Sequence, residues 1–327
     1  MQTIGIDVGY GHTKVVAEGV PGIFPSLVGP ARTIDLSFGG KETPGDEVEW
    51  EGEKLFVGNK AFHHSDMIYF LRSREWVQNK IYAALIISAL KRAGVGSGDE
   101  AIIVTGLPVE YMGDRVLAED MVKRVCDSMG VTIVELKVLP QPVGSFFDIL
   151  LDQFGMPNSK NPVLKRMGFI DIGYNTTDFI LIGNCEENIE RAAGSTSKGA
   201  HDAYSLVQRE LKNDFRRNEV SIKDAEEAVR TRFFKSGGVN HDVTPLVHKV
   251  LSQIGTSICN LIASKWGPEG EIDKVWLTGG GCALLRQYIM GIAPITEMIQ
   301  GPQIANARGY HKRALALMSE LLERGVN

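Results

Sequence analysis

Two segments of this chain repeat one arrangement of carboxylate, glycine and threonine residues. Ile6–Thr13 and Ile170–Thr177 share Ile, Asp, Gly, Tyr and Thr in register without a gap. The offset between them is 164 residues, close to half of the 327-residue chain. Because the match falls at the start of each half, it predicts a duplicated domain.

Each segment also has the pattern of a β-hairpin. Apolar runs at Thr3–Val8 and Met167–Ile172 lead into glycine-containing turns, and β-prone runs at Thr13–Ala17 and Thr177–Ile182 follow them. Glycine at a hairpin tip lets backbone N–H groups approach a bound anion closely. The alternative is two ordinary hairpins with turn-forming Asp and Gly. The repetition favours two phosphate cradles.

Charged side chains adjoin both predicted tips. Asp7 and Asp171 come just before the turns, and Lys14 comes just after the first turn. A pair of carboxylates beside a triphosphate requires a cation between them, usually Mg²⁺ held through its waters. Lys14 is suited to place a point charge on the β- and γ-phosphates.

A third glycine cluster follows a predicted strand. Ile272–Thr278 has the composition of a strand, Gly279–Gly281 follows it, and Cys282–Met290 has a helical pattern. Strand, glycine turn and helix N-terminus form a common nucleotide-binding arrangement. The cluster is neither a Walker A loop nor a Gly-x-Gly-x-x-Gly motif. Because consecutive glycines cost backbone entropy, close approach to a ligand explains them better than a flexible loop.

Other patterns predict the elements that hold these motifs. Asn306–Arg324 has a helical spacing of apolar residues, and Val48–Val57 has the pattern of a hairpin. Helices are also predicted over Lys198–Asn213 and Ile222–Phe234. The apolar run Ile81–Leu90 is about half of the ~20 residues that span a bilayer, so it predicts a buried core helix.

Five motifs, in order along the chain, resemble the actin/Hsp70/hexokinase superfamily. Asp7–Lys14 is similar to its first phosphate motif, Asp171–Asp178 to its second, and Leu277–Gly281 to its adenosine motif. Leu139–Gly144 and Ala305–Tyr310 resemble its two connecting segments.

Shorter motifs resemble one branch of that superfamily. Phe56–Ala61, Thr105–Val109 and the Gly9–Gly11 turn are similar to the prokaryotic actin-like ATPases, the group of plasmid-segregation ParM/StbA proteins and archaeal actin homologues.

The resemblance implies an α/β chain with the actin-like ATPase fold, in which two duplicated ribonuclease-H-like domains flank a nucleotide cleft and carry smaller subdomain insertions. Domain I would cover residues 1–155, with an insertion at about 34–75, and a C-terminal helix at 305–327 would complete it. Domain II would cover residues 165–304. The composition of Gly155–Pro162 predicts the linker between the two domains.

The resemblance also assigns roles to residues. Asp7 and Asp171 would act catalytically and hold Mg²⁺ through water, and Gln141 would orient the attacking water. Glu210 and Lys212 would reach ribose or adenine, although an exposed helical Glu/Lys pair is the common alternative. The full set of nucleotide-binding candidates is Gly9, Tyr10, Gly11, His12, Thr13, Lys14, Gly173, Tyr174, Asn175, Thr176, Glu210, Lys212, Gly279, Gly280 and Gly281.

The bulk composition argues against several function classes. A net charge of −5 provides no basic field for direct binding to nucleic acid or to an anionic membrane. The four cysteines are far apart in sequence, so neither a zinc site nor a disulfide framework is predicted. The N-terminus lacks the basic start and long apolar run of a signal peptide. We therefore expect a cytoplasmic protein.

The function implied by the resemblance is a slow ATPase that self-assembles into filaments, with ATP/ADP and Mg²⁺ as cofactors. GTP stays an alternative because the glycine cluster does not read the edge of the base. The cellular role would be plasmid or DNA segregation through a DNA-binding adaptor protein, or a cytoskeletal one.

Three other functions stay open for the same fold. A small-molecule kinase would need a further catalytic carboxylate and usually a longer chain, and the sequence offers no convincing candidate for that carboxylate beyond leaving Asp178 and Asp202 open. An Hsp70-like chaperone would need a substrate-binding domain after the ATPase, whereas this chain ends at Asn327. The last alternative is an assembly module that binds ATP without hydrolysing it.

Overall fold

The protein is described from a computed structural model that covers residues 1–34, 43–69, 74–158, 166–183, 187–188, 190–217, 219–267, 272–293 and 295–325. Its contacts divide the chain into two compact units. Unit 1 comprises Met1–Val163 and Gln303–Asn327, and unit 2 comprises Leu164–Pro302. Parts of the predicted insertion and linker, residues 35–42, 70–73 and 159–162, lie outside the described residues.

Unit 1 contains two sheets and the helices that cover them. Its strands are β1 Gln2–Val8, β2 His12–Ala17, β3 Val20–Pro25, β4 Val28–Pro30, β5 Glu47–Trp50, β6 Glu53–Val57, β7 Glu100–Leu107 and β8 Thr132–Pro140. Its α-helices are α1 Asn59–His64, α2 Lys80–Arg92, α3 Arg115–Met129, α4 Gln141–Leu150 and, after unit 2 in the chain, α9 Ala305–Glu323; 3₁₀ turns cover Arg74–Gln78 and Val109–Asp114.

The main sheet of unit 1 has the strand order β3-β2-β1-β7-β8. β1 and β2 form the predicted antiparallel hairpin, while β7 runs parallel to β1 and β8 runs parallel to β7. All ten residues of Ile81–Leu90 in α2 are buried, which confirms the predicted core helix. On α9, Tyr310 and Ala314 pack with Ile102 and Val104 of β7. The sheet is thus covered by helices, as expected for parallel strands.

A small antiparallel sheet, β4-β6-β5, forms the rest of unit 1 with α1. β5 and β6 pair from Glu47 opposite Phe56 to Trp50 opposite Glu53, which confirms the predicted hairpin. The inward positions Val48, Trp50 and Leu55 are buried.

Unit 2 is built on a sheet with the order β11-β10-β9-β15-β16, and β12 also pairs with β10. Its strands are β9 Arg166–Ile172, β10 Thr177–Gly183, β11 Glu187–Asn188, β12 Gly194–Thr196, β13 Phe233–Ser236, β14 Val239–Asp242, β15 Lys274–Thr278 and β16 Thr296–Met298. Its helices are α5 Ala200–Asp214, α6 Ile222–Thr231, α7 Thr244–Trp266 and α8 Cys282–Ile289, with a 3₁₀ turn at Glu190–Ala192.

The two units share one topology, as the internal repeat predicts. In unit 2, β9 and β10 form an antiparallel hairpin and β15 runs parallel to β9. In unit 1, β1, β2 and β7 have the same relationship. The repeated sequence therefore occupies equivalent hairpin turns in two sheets of the same construction.

One predicted helix is too long. α6 ends at Thr231 rather than Phe234, because Arg232 adopts a left-handed conformation with φ of 67°. Phe233 and Phe234 instead begin β13, which pairs with β14 across a turn at Gly237 and Gly238. Two aromatic residues followed by a Gly-Gly pair are a hairpin signal, and it overrides the helical pattern before it.

In the part of the chain that the structure describes, every helix is too short or too polar to cross a lipid bilayer.

Candidate functional site

The first hairpin brings three predicted residues together. Asp7 lies at the end of β1 and is only 3% exposed. Lys14 Nζ lies 2.9 Å from Asp7 Oδ2, and Gln141 Nε2 donates to Asp7 Oδ1 at 3.0 Å. Gln141 is the first residue of α4 and is also buried. Because both Asp7 oxygens accept from these partners, the carboxylate is held in one orientation.

The turn after Asp7 requires glycine for packing reasons. The Gly9 amide donates to His12 O at 3.2 Å. A Cβ on Gly9 would lie 2.9 Å from His12 O and 3.1 Å from Lys14 Nζ. The pKa of His12 is lowered, first by desolvation of the ring and second by the Lys14 cation, and both effects favour the neutral imidazole. The ring of Tyr10 packs against Trp76, with centroids 5.8 Å apart.

The second hairpin holds Asp171 at the end of β9, where it is 7% exposed. The Gly173 amide donates to Thr176 O at 2.8 Å and closes the turn that contains Tyr174 and Asn175. The N-terminus of α5 packs on this turn: the amide of Ala200 donates to Gly173 O at 3.1 Å. The next amide of α5, that of His201, donates to Tyr174 O at 2.8 Å.

The two carboxylates considered for a kinase have local partners. Asp178 is 1% exposed and accepts a hydrogen bond from Thr176 Oγ1 at 2.8 Å. Asp202 accepts from the Gly199 amide at 3.1 Å and caps α5. Both carboxylates therefore stabilise the second turn and the helix that packs on it.

The third glycine cluster adjoins Asp171. Gly279 has φ of +89°, and a Cβ there would lie 2.2 Å from Asp171 Oδ1. The amide of Gly281 donates to Ile172 O at 2.8 Å. The close approach that explains Gly279 and Gly281 is thus to the end of β9, whereas we expected it to be to a ligand. Burial and the nearby Asp171 carboxylate raise the pKa of Cys282 to about 12, so its side chain stays a neutral thiol.

A cavity of about 740 Å³ opens beside Gly280. Its lining combines apolar side chains with polar ones, as ligand pockets do. The lining residues are Tyr204, Glu226, Val229, Arg230, Arg232, Gly280, Ala283, Leu284, Arg286, Gln287 and Met290.

Glu210 and Lys212 are not among those lining residues. Glu210 instead lies 3.7 Å from Lys249 of α7, so the nucleoside role of Glu210 and Lys212 stays a prediction. The acidic and basic residues that α6 contributes to the cavity are Glu226 and Arg230. Sequence reasoning missed them because an i, i+4 Glu/Arg pair is typical of any solvated helix.

The described residues contain no group of three or more His, Cys, Asp or Glu side chains that could hold a metal directly. Mg²⁺ usually keeps several waters and needs only one or two carboxylates beside substrate phosphates. Asp7 and Asp171 are suited to contact the ion through such waters, since each is a nearly buried carboxylate at the base of a turn.

Two family models match the chain. Residues 5–144 match the N-terminal domain of actin-like proteins. Residues 169–291 match the C-terminal domain of the MreB-like archaeal actin homologue. Each match begins near one of the repeated hairpins, and together the two models cover most of both units.

Individual proteins are similar over nearly the whole chain. An archaeal actin homolog of Thermoplasma acidophilum is 28% identical over 345 residues, which cover 96% of this chain and 99% of that protein. The crystal structure of Ta0583, an archaeal actin homolog, superposes with a TM-score of 0.78 at 25% identity and covers 97% of this chain and 100% of its own.

Of two further similar structures, one was solved with a ligand and the other as a filament. Ta0583 in complex with ADP has a TM-score of 0.74 at 23% identity, covering 96% of this chain and 99% of its own. A ParM subunit of a 15-stranded filament from Clostridium botulinum has a TM-score of 0.72 at 20% identity, covering 96% of this chain and 98% of its own.

Proposed function

We propose that the chain, whose two halves match models of actin-like proteins, is a prokaryotic actin-like protein that binds and slowly hydrolyses ATP in order to assemble into filaments. The observation that carries the proposal is the repeated turn: each unit presents a glycine-bearing hairpin with a nearly buried aspartate at its base. We propose that the turns of both units bind the phosphates of the nucleotide.

The phosphate end of the nucleotide would be handled by backbone amides of the two turns and by Lys14. Lys14 Nζ forms an ion pair with Asp7 Oδ2 at 2.9 Å. A triphosphate beside the first turn would compete for the same ammonium group, because it carries more charge than one carboxylate. Mg²⁺, when bound with the nucleotide, would offset charge on the β- and γ-oxygens next to Asp7 and Asp171.

Gln141 would orient the water that attacks the γ-phosphate. Its Nε2 donates to Asp7 Oδ1, so its carbonyl oxygen is the atom left to accept a hydrogen bond from that water. An amide cannot take the proton as a base at neutral pH, so hydrolysis should be slow until closure or assembly fixes the water.

The nucleoside end would occupy the cavity beside Gly280. Leu284 and Met290 offer apolar surface for the base, while Glu226 and Arg230 offer a hydrogen-bond acceptor and a donor. Both purines have an edge that such a pair can read, so ATP is proposed as the main nucleotide and GTP as a substitute. The neighbour Ta0583, solved with ADP, supports a nucleotide ligand.

Assembly is proposed from similarity. The related Clostridium botulinum ParM forms a 15-stranded filament. A filament of the present chain would serve plasmid or DNA segregation, or a cytoskeletal role, in the cytoplasm. The net charge of −5 favours an adaptor protein over direct contact with DNA.

The proposal is tested by mixing the purified protein with Mg-ATP and following light scattering together with phosphate release. We expect both signals to rise in the wild type. We expect neither to rise in Asp171→Ala, which removes the carboxylate at the second turn. The matched control is Asp214→Ala, an exposed aspartate at the end of α5.

Two outcomes would contradict the proposal. No scattering at any protein concentration, together with transfer of phosphate to a sugar, would favour a small-molecule kinase. Scattering that depends on ATP binding without any phosphate release would favour a non-catalytic assembly module.

A further inference from the structure

Ser26 follows β3 and makes three hydrogen bonds to the first hairpin. It is 3% exposed. Its hydroxyl donates to Gly9 O at 2.6 Å, its amide donates to Gly11 O at 3.0 Å, and its Oγ lies 2.9 Å from the Oγ1 of Thr13. We infer that Ser26 is a positioning residue that aims the amides of the first turn at phosphate, and that Thr13 supports Ser26 instead of contacting phosphate. This inference rests on the proposed nucleotide binding.

The direction of each bond follows from counting protons. A carbonyl oxygen can only accept, so the single Ser26 hydroxyl proton is used on Gly9 O. Towards Thr13, Ser26 Oγ must then accept, and Thr13 must donate its own hydroxyl proton. Thr13 is fully buried and has no second proton to give. Its predicted role in nucleotide binding is therefore replaced by a relay from Thr13 to Ser26 to Gly9.

The relay fixes the direction in which backbone N–H groups point. A trans peptide is planar, and its C=O and N–H point in opposite directions. Holding Gly9 O towards Ser26 directs the Tyr10 N–H away from Ser26, and holding Gly11 O does the same for the His12 N–H. The orientation of these two peptide planes at the tip is thus set before an anion arrives, which lowers the cost of binding it.

Unit 2 holds the carbonyl equivalent to Gly9 O by other means. There, the amides of Ala200 and His201 in α5 hold Gly173 O and Tyr174 O. Those contacts are made by backbone and survive most substitutions. In unit 1 the hydroxyls of Ser26 and Thr13 do part of this work, so the first turn can be tested by changing side chains.

The test measures the dissociation constants of Mg-ADP and of adenosine, which lacks phosphate. For Ser26→Ala we expect about 5- to 10-fold weaker binding of Mg-ADP, the effect of roughly one hydrogen bond, and unchanged binding of adenosine. If the role of Ser26 were merely structural, the substitution would weaken the binding of Mg-ADP and of adenosine to the same extent. The matched control is Ser65→Ala, which removes a hydroxyl that donates to the carbonyl of Pro30 outside the hairpin.

A double-mutant cycle tests the relay itself. Thr13→Val should weaken Mg-ADP binding in the wild type and have almost no further effect in Ser26→Ala, because the relay is already broken there. Thr13→Ser should restore most of the affinity lost in Thr13→Val. If Ser26→Ala does not fold, the comparison of Thr13→Val with Thr13→Ser tests the relay alone. Equal affinities of these two variants for Mg-ADP would overturn the relay.

The remaining outcomes separate the two proposals. If the wild type binds Mg-ADP and Ser26→Ala binds it equally well, the role of Ser26 is wrong while the proposed function stands. If Thr13→Val has its full effect in both backgrounds, Thr13 contacts phosphate after all. If the wild type binds neither Mg-ADP nor Mg-ATP, the proposed function itself is wrong, and the role of Ser26 with it.

Discussion

Asp7 has two partners whose tasks differ. Lys14 balances its charge, and Gln141 donates one neutral hydrogen bond to it. A buried carboxylate that loses one neutral hydrogen-bond donor still has its cationic partner. A buried carboxylate that loses the cation has no compensating charge, which is far more destabilising. Gln141 can therefore be removed with less damage to the fold than Lys14, and its contribution to hydrolysis can be measured separately.

Substitution of Gln141 by Ala tests that contribution. We expect phosphate release to fall by about 10-fold or more, since the water loses its orienting acceptor, while the dissociation constant for Mg-ADP changes by less than about 3-fold. Gln78→Ala, at an exposed glutamine of the same unit, is the control. Normal hydrolysis by Gln141→Ala would refute the assigned role.

His311 makes the stability of unit 1 depend on pH. It is buried on α9, with Nε2 3.4 Å from Thr3 Oγ1. Burial first, and the Lys312 cation second, lower its pKa below the ordinary value of about 6.5. The unfolded chain then binds the proton more readily, so the His311 contribution to stability is complete above pH about 6.5 and is lost as the pH falls through the folded-state pKa.

We therefore expect the free energy of unfolding of the wild type minus that of His311→Gln to decrease as the pH is lowered from about 7.5 to about 5. Urea unfolding at several pH values measures it. Taking the difference cancels the contribution of His12, which titrates in both proteins. A difference that stays constant with pH would contradict the prediction.

At the scale of elements, α4 and α9 cross without side chains between their backbones. A Cβ on Gly309 would lie 1.7 Å from the Gly144 carbonyl oxygen. Beside the crossing, Arg308 and Lys312 of α9 form ion pairs with the buried Asp148 of α4. Since backbone atoms cannot rotate away as a side chain can, the spacing of these two helices depends on glycine.

Gly309→Ala should therefore separate the two helices and lower the free energy of unfolding by about 3 kcal/mol. Gly113→Ala is the matched control, because a Cβ there meets nothing within 4 Å, and it should change stability by less than about 0.5 kcal/mol. Denaturant unfolding of both variants measures the contrast. Equal stability of the two would mean that α9 shifts at no cost.

In the proposed nucleoside site, the position of α6 decides which acidic residue contacts the ligand. We expect Glu226→Gln to weaken Mg-ADP binding by about 5-fold, since it lines the cavity beside Gly280. Glu210→Gln should change it by less than about 2-fold, because Glu210 pairs with Lys249 instead. Calorimetric titration of both variants distinguishes them, and the reverse ranking would restore the role predicted for Glu210.

Local patterns predicted the hairpins and the core helix, because alternation, turn glycines and an unbroken apolar run are properties of adjacent residues. The Asp7–Gln141 bond joins residues 134 positions apart, and only the family resemblance placed both at one site. Glu226 and Ser26 were missed for a related reason. Their roles depend on how α6 and the end of β3 pack, and neither position differs in sequence from an ordinary surface Glu or loop Ser.

At the scale of the whole molecule, a shared nucleotide should stabilise both units. Mg-ADP at about 100 times its dissociation constant should raise the free energy of unfolding by about 2.7 kcal/mol. Hydrogen exchange should slow in peptides that contain either repeated turn, and Asp7→Asn or Asp171→Asn should reduce the effect in both. Slowing confined to one unit would contradict a nucleotide served by both turns.

Unit 1 is discontinuous in sequence, and this sets an order of events on the ribosome. α9 covers β1 and β7, yet the roughly 140 residues of unit 2 are translated before it. About 200 residues separate the end of β7 from the start of α9. At about 5–20 residues per second, Ile102 and Val104 therefore stay uncovered for roughly 10–40 s, while unit 2 can already fold. The main sheet of unit 1 thus gains its covering helix last, and a nascent chain halted before α9 should attract chaperones through the exposed strand β7.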